Sequence, residues 1–240
     1  MPDPLRADLR REASPSKAAA LQRFFKTGPG EYGAGDVFLG VMVPAQRRVA
    51  RRYAALPLEA LAELLSSPFH EERLTALLIL VAQFRKAGPA ARKRIYGFYM
   101  RHRRGINNWD LVDLSAPYIA GLYLMETGGA GKLDRLARSR NLWDRRIAVL
   151  ATFPFIRAGE PGPALHIAEM LLGDREDLLH KAAGWMLREA GKRCGTAVLE
   201  AFLDRHRAAM PRTMLRYAIE RLPEDRRRYY LSGPTSRTER

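Results

Sequence analysis

Trp109 and Asp113 stand four residues apart in GINNWDLVDLSAPYIAG, residues 105–121. On a helix that spacing puts a large aromatic ring and a carboxylate on one face. The ring's π face attracts cations, and a fixed carboxylate stabilises positive charge that develops beside it. The pair could therefore hold a cationic group and assist a bond that breaks with growing positive charge. Packing offers a plainer account, because carboxylates in a first helical turn are favoured by the dipole. Asp110, nearest the helix start, satisfies that account. Asp113 does not: it falls later, between Val112 and Leu114 in an apolar run, where a carboxylate is costly without a partner. Arg146 is a candidate for that partner. Trp185, one turn after Lys181, also sets an aromatic beside a charge, whereas Trp143 reads as core.

Helices must position these residues. Apolar positions recur at three and four in LEALAELL, ERLTALLILVAQF, RIAVLATFPFI, ALHIAEMLL and DLLHKAAGWMLREAG. No sustained alternation marks a strand. Asn107 and Asn108 are cap candidates for the Trp109 helix, and Pro117 should kink or end it. Breaks at Pro57, Pro68, Gly88-Pro89, Gly105, Gly128-Gly129, Gly159 to Pro163, Gly173, Gly191 and Pro211 divide the chain into about eleven or twelve helices of ~10–18 residues. Residues 1–231 read as one domain and 232–240, SGPTSRTER, as a solvated tail.

The helices also carry a longer period. Basic residues open the apolar runs at Arg73, Arg146, Lys181 and Arg216, with intervals of 73, 35 and 35. Asp110 stands halfway along the first interval. Two helices per ~36 residues is the signature of a helical-repeat solenoid; the period is close to tetratricopeptide and ankyrin lengths and slightly short of HEAT repeats, and is read as HEAT-like. Such repeats stack so that their inner helices form one concave surface. The fold expected is all-α, a right-handed α-solenoid of HEAT-like repeats with a concave basic face.

Composition narrows the partners. A share of 47% apolar and 28% charged residues describes an ordinary globular chain. Forty-one Lys and Arg against 26 Asp and Glu leave a net charge of +15, which attracts polyanions. Basic residues cluster around aromatics in ARKRIYGFYMRHRRG and RLARSRNLWDRR, on either side of the Trp109 helix. Arginine's planar fork suits phosphate, so a DNA-backbone role is expected of these clusters. Cys194 is the only cysteine, which excludes an internal disulfide and fits a reducing compartment. The first fifteen residues lack a signal-peptide core, and the run from Leu74 is too short to span a membrane. Neither membrane association nor a metal or other cofactor is expected. The five histidines have no paired ligand spacing, and GPGEYG, residues 28–33, lacks the strand–turn–helix context of a nucleotide loop.

INNWDLVDLSAPYIAG, NLWDRRIAV, LLHKAAGWMLREAGKR and MPRTMLRYAIERLP together resemble the AlkD-like DNA alkylation repair family, and YGAGDVFLGV, residues 32–41, is similar to that family's N-terminal loop. These segments cover most of residues 20–230 in the family's order. The resemblance implies a monofunctional DNA glycosylase of base excision repair that releases cationic N-alkylated purines, of the 3-methyladenine and 7-methylguanine type, from duplex DNA. By motif, Asp113 matches the catalytic carboxylate, which stabilises the oxocarbenium ion or positions water. Trp109 and Trp185 match the aromatics bordering the lesion, and Phe25 or its neighbour Phe24 would add an N-terminal aromatic. Arg146 matches a backbone-contacting arginine; Arg145, Lys181, Arg188 and Arg212 are expected to join it. Leu178 and Leu179 replace an aromatic pair present in some members. Double-stranded DNA containing alkylated bases is the expected partner, the protein a monomer in the bacterial cytosol or nucleoid. The alternative is a non-catalytic helical-repeat protein that binds structured DNA or RNA through the same basic face.

Overall fold

The computed structural model describes residues 2–232. The expected tail lies outside the described residues from Gly233 onward, and Ser232 instead ends a helix, its hydroxyl donating to the Tyr229 carbonyl. The chain forms two compact units, dividing between Ile119 and Ala120. Every regular element among the described residues is helical apart from one isolated bridge, Val37 to Phe69.

The first unit contains α1 (Asp3–Arg11), α2 (Pro15–Phe24), α3 (Val43–Arg52), α4 (Leu58–Leu65), α5 (His70–Lys86), α6 (Pro89–Arg101) and α7 (Trp109–Asp113). The apolar run from Leu74 builds α5, which packs against α1, α3, α4, α6 and α7. A helix apolar on nearly every side belongs at a centre. Leu77, Leu80 and Phe84 are fully buried there, each contributing roughly 1.5–3 kcal/mol relative to exposure. Its first turn, His-Glu-Glu-Arg, is polar and yet buried as well.

That polar turn is accommodated because the chain between α2 and α3 folds over it. Glu71 accepts hydrogen bonds from the amides of Leu39, Gly40 and Val41 at 2.8–3.1 Å, so a loop without regular structure keeps its backbone donors satisfied. Gly40 has a φ of +82°, and a Cβ there would meet the Ser14 carbonyl at 2.1 Å. Only glycine fits that approach. Glu72 is held by Arg6 at 3.0 Å and Arg10 at 3.5 Å, tying α1 to α5.

The second unit contains α8 (Leu122–Glu126), α9 (Lys132–Ala137), α10 (Leu142–Leu150), α11 (Phe153–Arg157), α12 (Gly162–Met170), α13 (Asp177–Cys194), α14 (Thr196–His206), α15 (Arg212–Ala218) and α16 (Glu224–Ser232). Here the repeat is explicit. Helix α10 packs against α13 and α13 against α15, while α9 pairs with α10 and α12 and α14 pack on α13. The basic openers Arg146, Lys181 and Arg216 sit on those three stacked helices. Gly184 lets α13 and α15 meet closely, since a Cβ there would lie 2.5 Å from the Met214 carbonyl.

Sixteen α-helices among the described residues exceed the eleven or twelve read from periodicity, because some apolar runs are each divided into two helices. RIAVLATFPFI is two helices, divided where the Thr152 hydroxyl turns back to the Val149 carbonyl at 2.6 Å and Pro154 starts the next. The Trp109 pattern likewise stops after five residues. Tyr118 to Gly121 then continue as a π-helical turn opened by Pro117, a break that proline foreshadowed.

Candidate functional site

Helix α7 carries Trp109 at its first position and Asp113 at its last, both half-buried. Asn108, completely buried, caps the helix: its side-chain oxygen accepts the Trp109 amide at 2.8 Å, while its nitrogen donates to Asp36 at 3.2 Å. Asn107 does not cap. It donates to the other oxygen of Asp36, also at 3.2 Å.

The indole of Trp109 lies on a column of rings. Phe25 stacks on it at 5.2 Å and 18°, Phe38 on Phe25 at 5.0 Å and 21°, and the imidazole of His70 on Phe38 at 4.5 Å and 20°. Phe24 meets Trp109 edge-on at 6.0 Å. The two neighbouring phenylalanines thus differ sharply: Phe25 is 7% exposed and supports the indole, whereas Phe24 is 64% exposed.

At the foot of the column, His70 donates through Nδ1 to Asp36 at 3.0 Å and through Nε2 to Asp110 at 2.8 Å. Facing a carboxyl group on each side, both ring nitrogens can donate only in the imidazolium form, which this arrangement favours. Burial opposes that charge, but the hydrogen bonds to Asp110 and Asp36 prevail and raise the His70 pKa above its ordinary value. Asp36 is also buried, which by itself would raise its pKa. The His70 hydrogen bond and the charge of Arg73, 2.6 Å away, instead hold it below the carboxylate norm. Asp110 does serve its own helix end, its second oxygen accepting the Leu111 amide at 2.8 Å, but its other oxygen closes this network.

In the second unit, Trp185 is half-buried on α13 and faces Phe153 at 6.5 Å, with Arg193 over the Phe153 ring at 5.5 Å. Trp143 is buried, as expected of core. The expected backbone-binding cations are already engaged within the unit. Arg146, 5% exposed, donates to the Leu178 carbonyl at 2.6 Å. Arg145 pairs with Asp174 at 2.7 Å, Lys181 with Asp177 at 2.6 Å, and Arg188 with Glu220; Arg212 donates to the Leu231 carbonyl. The opener row is therefore not a row of equivalent free charges: Arg73 is buried against Asp36, while Arg216 is exposed. Periodicity marked the helices rather than the state of their side chains.

Asp36, His70 and Phe38 were not singled out as site residues in the sequence. Asp36 and Phe38 lie in the loop segment YGAGDVFLGV, but His70 pairs with residues 34 and 40 positions away, and no local spacing encodes that. Among the described residues no group of three or more His, Cys, Asp or Glu is arranged to hold a metal ion, and no helix is long and apolar enough to cross a membrane.

No curated protein matches the chain. Among solved structures, the predicted DNA alkylation repair enzyme from Enterococcus faecalis is similar in fold, with a TM-score of 0.64 at 17% identity, covering 89% of this chain and 98% of that one. The model of the DNA alkylation repair enzyme family matches residues 5–222, so the helical-repeat chain with the Trp109–Asp113 helix belongs to the DNA alkylation repair enzyme family.

Proposed function

We propose that the protein is a monofunctional DNA glycosylase that releases cationic N-alkylated purines from duplex DNA. The observation that carries the reading is the pairing on α7: a half-buried carboxylate, Asp113, one turn from a half-buried indole whose underside is braced by Phe25. Family membership supports a DNA substrate and alkylation damage.

The chemistry needs little more. An ordinary glycosidase employs two carboxyl groups, one of them to protonate the leaving group. A purine alkylated on a ring nitrogen is already cationic, so the electrons of the breaking C1′–N bond neutralise it without an acid. Positive charge passes to the sugar, water adds at C1′ and loses a proton, and free base departs from an abasic site. A carboxylate about 4 Å from the sugar cation gains roughly 4 kcal/mol at an effective dielectric near 20. That corresponds to about a thousandfold in rate. Asp113 is assigned this task, as stabiliser of the oxocarbenium ion or as the group that positions water.

Trp109 is assigned to the lesion nucleotide, with Trp185 as the family-matched second aromatic. Phe24, being exposed beside Trp109, is a better N-terminal contact than Phe25, which acts from beneath. A non-catalytic nucleic-acid binder would share the net charge but give the Trp109–Asp113 pair no task. Incubating the protein with duplex DNA carrying one defined 7-methylguanine or 3-methyladenine decides between them: free base should appear, and binding without release would establish the non-catalytic reading.

A further inference from the structure

On α3, Arg47, Arg48, Arg51 and Arg52 form two pairs with opposite fates. Arg48 reaches Glu12 at 3.2 Å and Arg52 reaches Asp8 at 2.8 Å, so these two cations are paired with carboxylates of α1 and the residue that follows it. Arg47 and Arg51, each one residue earlier and one turn apart, are exposed and have no carboxylate partner among the described residues. Both line a pocket of about 580 Å³ within the first unit. Arg85 and Lys86, from the end of α5, line the same pocket and are likewise exposed without a carboxylate.

Four unneutralised cations converging on one concavity repel each other, and no acidic residue lines it to offset them. The helix dipole accounts for Arg85 and Lys86 in the last turn of α5 and for Arg51 in the last turn of α3, but not for the pocket-lining position of Arg47. Tyr118 forms part of the wall and holds the Arg85 guanidinium over its ring at 4.9 Å, which preorganises that side chain. Leu114, the residue after Asp113, completes the connection to α7.

We infer that this pocket binds the phosphodiester backbone of a DNA strand, with Arg47, Arg51, Arg85 and Lys86 neutralising neighbouring phosphates. The inference rests on the DNA-repair reading and adds to it an anchoring site in the first unit, where the cations are uncommitted. The expected cations of the second unit, by contrast, are engaged by acids and carbonyls. Phosphate contacts of this kind position a strand without reading its sequence.

The test is the salt dependence of binding to a short fluorescent duplex of undamaged DNA. Each lost phosphate contact should reduce the slope of log affinity against log salt by about 0.9. Arg47→Gln/Arg51→Gln should lower the slope by about one to two and affinity by about tenfold or more at moderate salt. Arg47→Lys/Arg51→Lys should restore most of the slope. The control Arg48→Gln/Arg52→Gln removes the same charge from already neutralised positions and should leave the slope nearly unchanged, with circular dichroism confirming that each variant is folded. Equal slopes for the two Gln pairs overturn the pocket assignment, and base release by the unaltered protein then stands unaffected. Absence of base release by the unaltered protein overturns the glycosylase reading, and the slope comparison still decides the pocket.

Discussion

His70 Nε2 donates to Asp110 Oδ2 across 2.8 Å, and Asp110 is the residue next to Trp109. The buried His70 ring therefore fastens the start of the helix that carries both proposed functional side chains. Its other nitrogen holds Asp36, which also receives hydrogen bonds from Asn107 and Asn108. One residue of α5 thus joins the loop before α3 to the first turn of α7.

The charge state of this network makes stability depend on pH. The folded pKa of His70 is raised, so its contribution is complete below about the ordinary 6.5 and is lost as pH rises through the raised value. Asp36 has a lowered folded pKa, so its contribution is complete above about 3.8 and is lost as pH falls through the lowered value. Stability should therefore decline on both sides of an intermediate plateau. His70→Gln should cost on the order of 1–3 kcal/mol, because it removes one hydrogen-bond partner from each of two buried carboxylates that keep others, and should flatten the alkaline decline. Urea unfolding across a pH series measures both; an unchanged alkaline limb in the variant would remove His70 as its source.

Asp113→Asn tests the proposed chemistry at one atom pair. The amide keeps the shape but loses the charge, so release of methylated base should fall about a thousandfold. Binding to undamaged duplex should persist. Single-turnover base release gives the number, and a rate equal to that of the unaltered protein would take the catalytic role from Asp113.

Phe24 and Phe25 should separate function from stability. Phe25→Ala removes the ring between Trp109 and Phe38 and should cost about 3–5 kcal/mol, as for other buried phenylalanines. Phe24→Ala, at an exposed position, should leave the melting temperature within about 2 °C, since surface changes seldom exceed about 0.5 kcal/mol. It should nevertheless slow base release. The reverse pattern would mean that Phe25, not Phe24, meets the lesion.

Gly184→Ala probes the stacked repeat of the second unit. The added methyl would press on the Met214 carbonyl at 2.5 Å and on the Tyr217 Cβ at 2.6 Å, atoms that move only with α15. Overpacking of this kind costs about 1–3 kcal/mol. A urea midpoint unchanged by the substitution would show that α13 and α15 separate easily.

Much of the fold is legible locally. The apolar run of α5, the two-helix period through Arg146, Lys181 and Arg216, and the spacing of Trp109 and Asp113 all follow from side chains recurring at helical intervals. Helix ends were less legible, as Thr152 and the turn after Asp113 show, because a hydroxyl or a tight neighbour can end a helix within an unbroken apolar pattern. The sequence also carried the net charge of +15 and the family resemblance, but it could not tell a paired arginine from an unpaired one.

That distinction was decided by tertiary structure. Arg47 and Arg48 are chemically identical neighbours, and only the placement of Glu12 on the chain after α1 neutralises one and leaves the other at the pocket. Likewise, nothing near His70 in the chain announces Asp36 or Asp110. Helical periodicity is set by neighbours three and four residues away, so the sequence by itself determined which faces pack. Charge compensation acts across space between distant segments, so only the folded chain determined which charges are paired within the protein and which stay exposed without a carboxylate.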